Sequence, residues 1–90
     1  MELKEIRLQL DEIDEKLVCL LSERMKLIPL VAEYKIKNNL PRYQPEREKE
    51  IIKTKRELAE KMQVNPDLIQ AIIEAIIADA HRIERQIIGN

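Results

Sequence analysis

Apolar residues recur along the first third of the chain at the spacing of a long amphipathic helix. Two columns of positions seven apart run from residue 3 to residue 34: Leu3, Leu10, Leu17, Arg24 and Val31 in one, and Ile6, Ile13, Leu20, Leu27 and Tyr34 in the other. This sustained heptad pattern predicts a helix with one apolar face. The exception is Arg24, a charged residue on that face.

The predicted first helix runs from about Leu3 to about Asn38, where asparagine and proline accumulate. Pro29 lies inside it and predicts a kink, because the heptad continues beyond it. About 36 residues at about 1.5 Å each make a rod of about 54 Å. A compact chain of this size is only about 30 Å across. We therefore expect a second copy to cover the excess, in an intertwined helical homodimer.

Two shorter helices account for the rest of the chain. The second is expected to begin at Pro45, and the third at Pro66 with Asn65 as its N-cap. An isoleucine stripe follows the third helix to its expected end near Gly89. No segment has the alternating pattern of a strand, so the sequence predicts an all-α fold of three helices in a single domain, residues 1–90.

Composition narrows the class of protein. The 90 residues are 44% hydrophobic and 37% charged with a net charge of −1, which gives no general attraction to nucleic acid or to a membrane surface. One cysteine, Cys19, and one histidine, His81, allow neither an internal disulfide nor a Cys/His zinc site. We expect no metal, no membrane span and a cytoplasmic location.

Cations on the apolar side of the first helix suggest an anion site. Lys35 lies eleven residues after Arg24. Eleven steps around a helix bring a side chain to within about 20° of the starting direction, here about 16 Å further along the axis. Arg7 borders this face about 25 Å from Arg24, so it could join the same site only from a partner chain. Alternatively, Arg7 and Lys35 extend their charged ends into water, and Arg24 fixes the register of a dimer.

Three further charged residues lie where they could meet those cations. Arg47 and Glu48 stand in the first turn of the second helix, and Glu84 flanks the isoleucine stripe of the third. Glu84 could equally be a surface glutamate paired with His81 or a lysine. Converging cations in an apolar bundle fit a small dianionic ligand held by bidentate guanidinium contacts. Such a pocket would act by orienting the ligand and stabilising charge.

The segments IRLQLDEIDEKLVCLLSERMKL, VAEYK, PRYQPEREKEII and IIADAHRIERQ resemble the AroQ-class, all-helical chorismate mutases over essentially the whole chain. With no sequence after residue 90, the expected form is a free-standing, monofunctional one. The abundance of isoleucine, glutamate and lysine is compatible with a thermophilic or archaeal source. The resemblance implies a cofactor-free Claisen rearrangement of chorismate to prephenate, on the way to phenylalanine and tyrosine, in an intertwined homodimer.

Site roles follow from the resemblance position by position. It implies that Arg7 reaches in from the partner chain and, with Arg24, binds the substrate carboxylates. Lys35 would contact a carboxylate and the ether oxygen, where charge develops as the C–O bond breaks. Arg47 matches the family's arginine at the start of the second helix, and Glu48 the carboxylate that holds the ring hydroxyl.

Three positions depart from the commonest bacterial pattern. Glu84, the second group at the ether oxygen, stands where glutamine often occurs, Gln44 where aspartate does, and Ala80 where serine does. A glutamate can donate a hydrogen bond to that oxygen only when it is protonated. We therefore expect activity to fall as pH rises, and Glu84→Gln to relieve this.

Two other functions compete with the mutase. One is an isochorismate pyruvate-lyase on the same fold, which product analysis would distinguish. The other is a non-catalytic helical dimerisation module, for which Arg24→Leu should stabilise the dimer and abolish nothing.

Overall fold

A computed structural model describes the whole chain, Met1–Asn90, as three helices without a strand. Helix α1 spans Leu3–Lys37, α2 spans Pro45–Lys61 and α3 spans Pro66–Ile88. The all-α prediction is confirmed, and α1 continues through Pro29 as the heptad pattern required. None of the three helices combines the length and apolar character needed to cross a membrane.

The ends of α1 and α2 are closed in the same way. Asn39 and Gln63 follow the two helices with φ values of 54° and 59°, in the left-handed region. After α1, the amide of Leu40 donates to the carbonyl of Lys35 at 2.8 Å, and the amide of Asn39 donates to the carbonyl of Ile36 at 3.3 Å. The corresponding bonds close α2. These are Schellman motifs, which satisfy the last carbonyls and turn the chain back alongside the helix it has left.

Helix α3 begins as the sequence predicted. The Asn65 side-chain oxygen accepts a hydrogen bond from the amide of Asp67 at 3.0 Å, and Pro66 occupies the first helical position. At the other end Gly89 has a φ of 92°, a conformation that glycine adopts at little cost. Both ends therefore follow from local sequence chemistry.

The packing centres on α3, which contacts both α1 and α2, whereas α1 and α2 do not contact each other. Only Ala32, Ala59 and Glu84 are buried. The molecule measures 55 × 23 × 15 Å with a radius of gyration of 16.3 Å, whereas a compact chain of this length has a radius near 12 Å. The long dimension is that of α1, which extends well beyond the other two helices.

The apolar face of α1 is uncovered along much of its length. Residues of both heptad columns, including Leu10, Leu17, Leu20 and Leu27, are more than half exposed. The chain exposes 7302 Å² in total, whereas a folded monomer of this mass exposes about 5500 Å². The surplus of roughly 1800 Å² exceeds the apolar patches that soluble monomers ordinarily leave in water.

Candidate active site

A cavity of about 300 Å³ lies where the three helices meet the connection between α1 and α2. Its walls combine charged side chains with aliphatic ones from each helix. The structure brings seven of the eight predicted site residues together around it: Arg24, Lys35, Gln44, Arg47, Glu48, Ala80 and Glu84. The volume is at the lower end of the range for small-molecule sites.

Helix α1 supplies one wall of the cavity through residues spaced four, three and four apart. Arg24, Ile28, Val31 and Lys35 all line it, as expected for one face of a helix. Arg24 is partly buried and takes part in none of the ion pairs within the chain. The charge that interrupts the heptad thus points into the cavity without an anionic partner from its own chain.

Lys35 and Glu84 form an ion pair at the base of the site. The Lys35 ammonium donates to the two Glu84 carboxylate oxygens at 3.0 and 3.2 Å, and to the backbone carbonyl of Arg42 at 2.7 Å. Their side chains are only 12% and 8% exposed. The alternative of a surface glutamate paired with a lysine is wrong in the position but right in the partner. The isoleucine stripe carries Glu84 into the interior, where Lys35 offsets the cost of burying its charge.

The start of α2 supplies the opposite wall. Gln44 is the N-cap residue of α2, but its side chain makes no capping hydrogen bond and instead approaches the carbonyl of Pro41 at 3.5 Å. Arg47 is exposed at the rim and pairs with Glu50 at 2.6 Å. Glu48 is partly buried, and its carboxylate points toward α3.

His81 and Arg42 also line the cavity, although neither was among the residues predicted to bind a ligand. His81 Nε2 lies 2.7 Å from a Glu48 carboxylate oxygen, and His81 Nδ1 contacts the Arg42 guanidinium. The Tyr43 ring meets the imidazole edge-on, with 5.8 Å between ring centroids. The spacing of His81 three residues before Glu84 could have placed it on this face, whereas Arg42 lies in a connection without periodicity.

Arg7 is the predicted site residue that does not line the cavity. It lies in the second turn of α1, seventeen residues and about 25 Å before Arg24. Its own chain therefore cannot bring it to the site, and its contribution from a partner remains a prediction. Ala80 does line the cavity, but offers only a methyl group where a serine would offer a hydroxyl.

The charges around the cavity favour an anion. Four cationic side chains and two carboxylates line it, which leaves a net charge of +2 when His81 is neutral: Arg24, Lys35, Arg42 and Arg47 against Glu48 and Glu84. Aliphatic side chains between them lower the local dielectric constant and strengthen each interaction. The free thiol of Cys19 is exposed on α1 and does not line this cavity. The arrangement can orient a small dianion and stabilise charge that develops on it.

Comparison with known proteins gives a consistent assignment. The family model described as chorismate mutase type II matches residues 6–85. The T-protein of Enterobacter agglomerans is 36% identical over 83 residues, which cover 92% of this chain and 22% of that protein. The chorismate mutase of Methanocaldococcus jannaschii is 35% identical over 85 residues, which cover 94% of this chain and 86% of that protein.

One match covers fewer residues at a higher sequence identity. The bifunctional chorismate mutase/prephenate dehydratase of Aquifex aeolicus is 54% identical over 50 residues, which cover 56% of this chain and 14% of that protein. The chain spans only 22% of the length of the T-proteins of E. agglomerans and Haemophilus influenzae that it matches. The relatives thus include both much longer proteins and one of nearly the same length.

Proposed function

Because the chain belongs to the type II chorismate mutase family, we propose that its cavity binds chorismate and catalyses the rearrangement to prephenate, a step toward phenylalanine and tyrosine. The observation that carries this proposal is the net charge of +2 around a partly apolar cavity, with Arg24 lacking any anionic partner in its own chain. A dianionic substrate would supply that partner.

Substrate orientation is the first contribution. Arg24 would bind one substrate carboxylate through its planar guanidinium, joined by Arg7 of a second copy. Arg47 lies at the rim, where exchange of its exposed Glu50 contact would let it reach the ligand. Glu48 would accept a hydrogen bond from the ring hydroxyl. These contacts hold the flexible side chain of chorismate over its ring, which removes most of the entropy cost of the reaction.

Charge stabilisation is the second contribution. The rearrangement breaks one C–O bond and forms one C–C bond within the same molecule, so no group has to be transferred to the protein. Negative charge grows on the ether oxygen as the C–O bond lengthens, and the Lys35 ammonium can donate a hydrogen bond to it. Glu84 holds that ammonium through both carboxylate oxygens, and could itself donate to the ether oxygen only when protonated.

A twofold homodimer would complete the site. The surplus of roughly 1800 Å² per chain corresponds to about 3600 Å² buried between two copies, within the range of obligate homodimers. The uncovered heptad face of α1 is the matching surface, because it is apolar and extends past α2 and α3. An antiparallel or crossed pairing of two such rods would also bring Arg7 of one copy toward Arg24 of the other.

Mixing two inactive variants tests this shared site. Arg7→Ala and Arg24→Ala homodimers each carry one defect in every site, but a heterodimer of the two has one intact site and one doubly defective site. Random exchange of chains should therefore restore about a quarter of the wild-type activity, since half of the dimers are mixed. If Arg7 serves its own chain, mixing will restore nothing; if it serves no site, the Arg7→Ala protein will already be active before mixing.

The activity itself is tested by the loss of chorismate absorbance on adding purified protein, with the products identified. Arg24→Ala should abolish prephenate formation, whereas Arg85→Ala, which removes an exposed arginine of α3, should leave it unchanged. Release of pyruvate from isochorismate would indicate the lyase instead. An intact dimer without any turnover would favour the dimerisation module.

The proposed mutase domain spans residues 1–90, around the 6–85 matched by the family model. A cytoplasmic location is part of the same proposal. It is supported by the single cysteine, Cys19, which is an exposed free thiol with no partner in the chain.

A further inference from the structure

We propose that His81 is a positioning residue for Glu48, and that Arg42 holds the His81 ring in the tautomer this requires. The inference rests on the proposed mutase function, because it concerns the carboxylate expected to receive the substrate's ring hydroxyl. None of the sequence features that point to the mutase assigns a role to His81 or Arg42. A chain of contacts supports it, from Arg42 in the α1–α2 connection through His81 of α3 to Glu48 of α2.

The two groups that contact His81, Arg42 and Glu48, determine which ring nitrogen carries the hydrogen. A guanidinium can only donate hydrogen bonds, so the Arg42 contact requires Nδ1 to accept. In a neutral imidazole the other nitrogen then carries the hydrogen, and His81 Nε2 donates to the Glu48 carboxylate at 2.7 Å. An ionised carboxylate can only accept hydrogen bonds, so a single arrangement of protons satisfies Arg42, His81 and Glu48 together.

The ring is also fixed by its surroundings. The His81 side chain is 17% exposed and the Glu48 side chain 26%, and the Tyr43 ring packs edge-on against the imidazole. Arg42 is anchored on the other side, because its backbone carbonyl accepts from Lys35 at 2.7 Å and its Nε donates to the carbonyl of Asn90 at 2.8 Å. The His81 ring and the Arg42 end of the contact chain are thus each held by further contacts.

This arrangement matters because Glu48 shares the cavity with four cations. A carboxylate with no other restraint would be drawn to the nearest guanidinium and would remove part of the positive charge that a dianion needs. The bond from His81 occupies one oxygen of Glu48 and leaves the remaining acceptor positions free for a hydroxyl. His81 thereby keeps Glu48 separate from the cations, as outer-shell groups do for the ligands they orient.

The tautomer can be measured without any activity assay. His81 is the only histidine in the chain, so ¹⁵N-labelled protein without a histidine tag gives one imidazole spectrum. At about pH 8, above the ordinary histidine range, we expect the Nε2–H tautomer in the wild type and also in Glu48→Leu, where Arg42 alone still requires it. The double variant Glu48→Leu/Arg42→Met should contain more of the Nδ1–H form. A wild-type spectrum dominated by the Nδ1–H form would overturn the inference.

Kinetics then test the role of the bond to Glu48. His81→Leu should lower kcat/KM for chorismate roughly 10- to 150-fold, the size expected for losing one hydrogen bond to a charged group. His81→Gln, whose amide can both donate to Glu48 and accept from Arg42, should keep most of the wild-type value. In a Glu48→Gln background, His81→Leu should cause little further loss, because the carboxylate it positions is already absent.

The outcomes separate this inference from the proposed function. If the wild type does not convert chorismate, the proposed function fails, and the tautomer measurement still decides whether Arg42 fixes the ring. If the wild type is active and His81→Leu is as active as His81→Gln, the positioning role is refuted. Equal losses from His81→Leu with and without the Glu48 carboxylate would also refute it, since His81 would then act on something other than Glu48.

Discussion

Replacing Lys35 by methionine should destabilise the protein by about 3–5 kcal/mol, the cost of leaving a buried charge without its partner. The Lys35 ammonium is 3.0 and 3.2 Å from the Glu84 oxygens, and the two side chains are 12% and 8% exposed. At 3.0 Å and an effective dielectric constant of about 20, their attraction is about 5–6 kcal/mol before desolvation is subtracted. Removing either partner alone therefore loses the attraction but keeps one desolvated charge.

The double variant Lys35→Met/Glu84→Gln should recover most of this loss, because it leaves no charge behind. About 1 kcal/mol should remain lost, since methionine also gives up the hydrogen bond to the carbonyl of Arg42. Urea unfolding followed by circular dichroism, at one fixed protomer concentration, measures the four proteins of the cycle. If the loss in the double variant equals the sum of the two single losses, the pair is not coupled and the reasoning is refuted.

Four other changes have defined outcomes. Arg24→Leu should lower kcat/KM for chorismate roughly 100-fold or more, while its urea unfolding midpoint should equal or exceed that of the wild type. If the variant still converts chorismate, Arg24 instead fixes the register of the dimer. Gln63→Gly should raise the unfolding free energy by about 1 kcal/mol, because Gln63 has a φ of 59°, and an unchanged urea midpoint would contradict this. The hydrogen bond from Arg82 holds the pKa of Asp79 below its ordinary value. The pair therefore stabilises the fold at pH values above the ordinary aspartate pKa, and this contribution is lost as the pH falls through the lowered pKa. Carboxyl NMR should find a higher pKa for Asp79 in Arg82→Gln. Glu84→Gln, whose amide can donate a hydrogen bond to the ether oxygen, should keep kcat/KM for chorismate at or above the wild-type value, and a large loss would show that the site needs the carboxylate at this position.

Much of the fold could be predicted from the sequence because its determinants are local. The heptad columns predicted the extent of α1, and asparagine and proline marked its end and the starts of α2 and α3 to within about one residue. The grouping of Arg24 with Lys35 also followed from the period of a single helix. Each of these inferences compares positions within one regular element, where geometry is known in advance.

The contacts between elements could not be predicted in this way. Lys35 and Glu84 are 49 positions apart, and His81 and Glu48 are 33 apart, so no helical period relates them. Arg42 lies in an irregular connection whose path depends on the left-handed turn at Asn39. The resemblance supplied roles for substrate contacts, but only the packing of α3 against both neighbours showed which side chains bind each other.

Helix α3 joins two walls that do not contact each other. One turn apart on its surface, Glu84 binds Lys35 of α1 and His81 binds Glu48 of α2. Natural variation can therefore alter the residues of one wall without requiring a compensating change in the other, provided that α3 keeps the matching partner and that Arg42, which contacts both Lys35 and His81, stays in place. Such a cavity is modular: the Lys35–Glu84 pair and the His81–Glu48 pair can diverge separately, which offers one scaffold a route to ligands that differ at only one end.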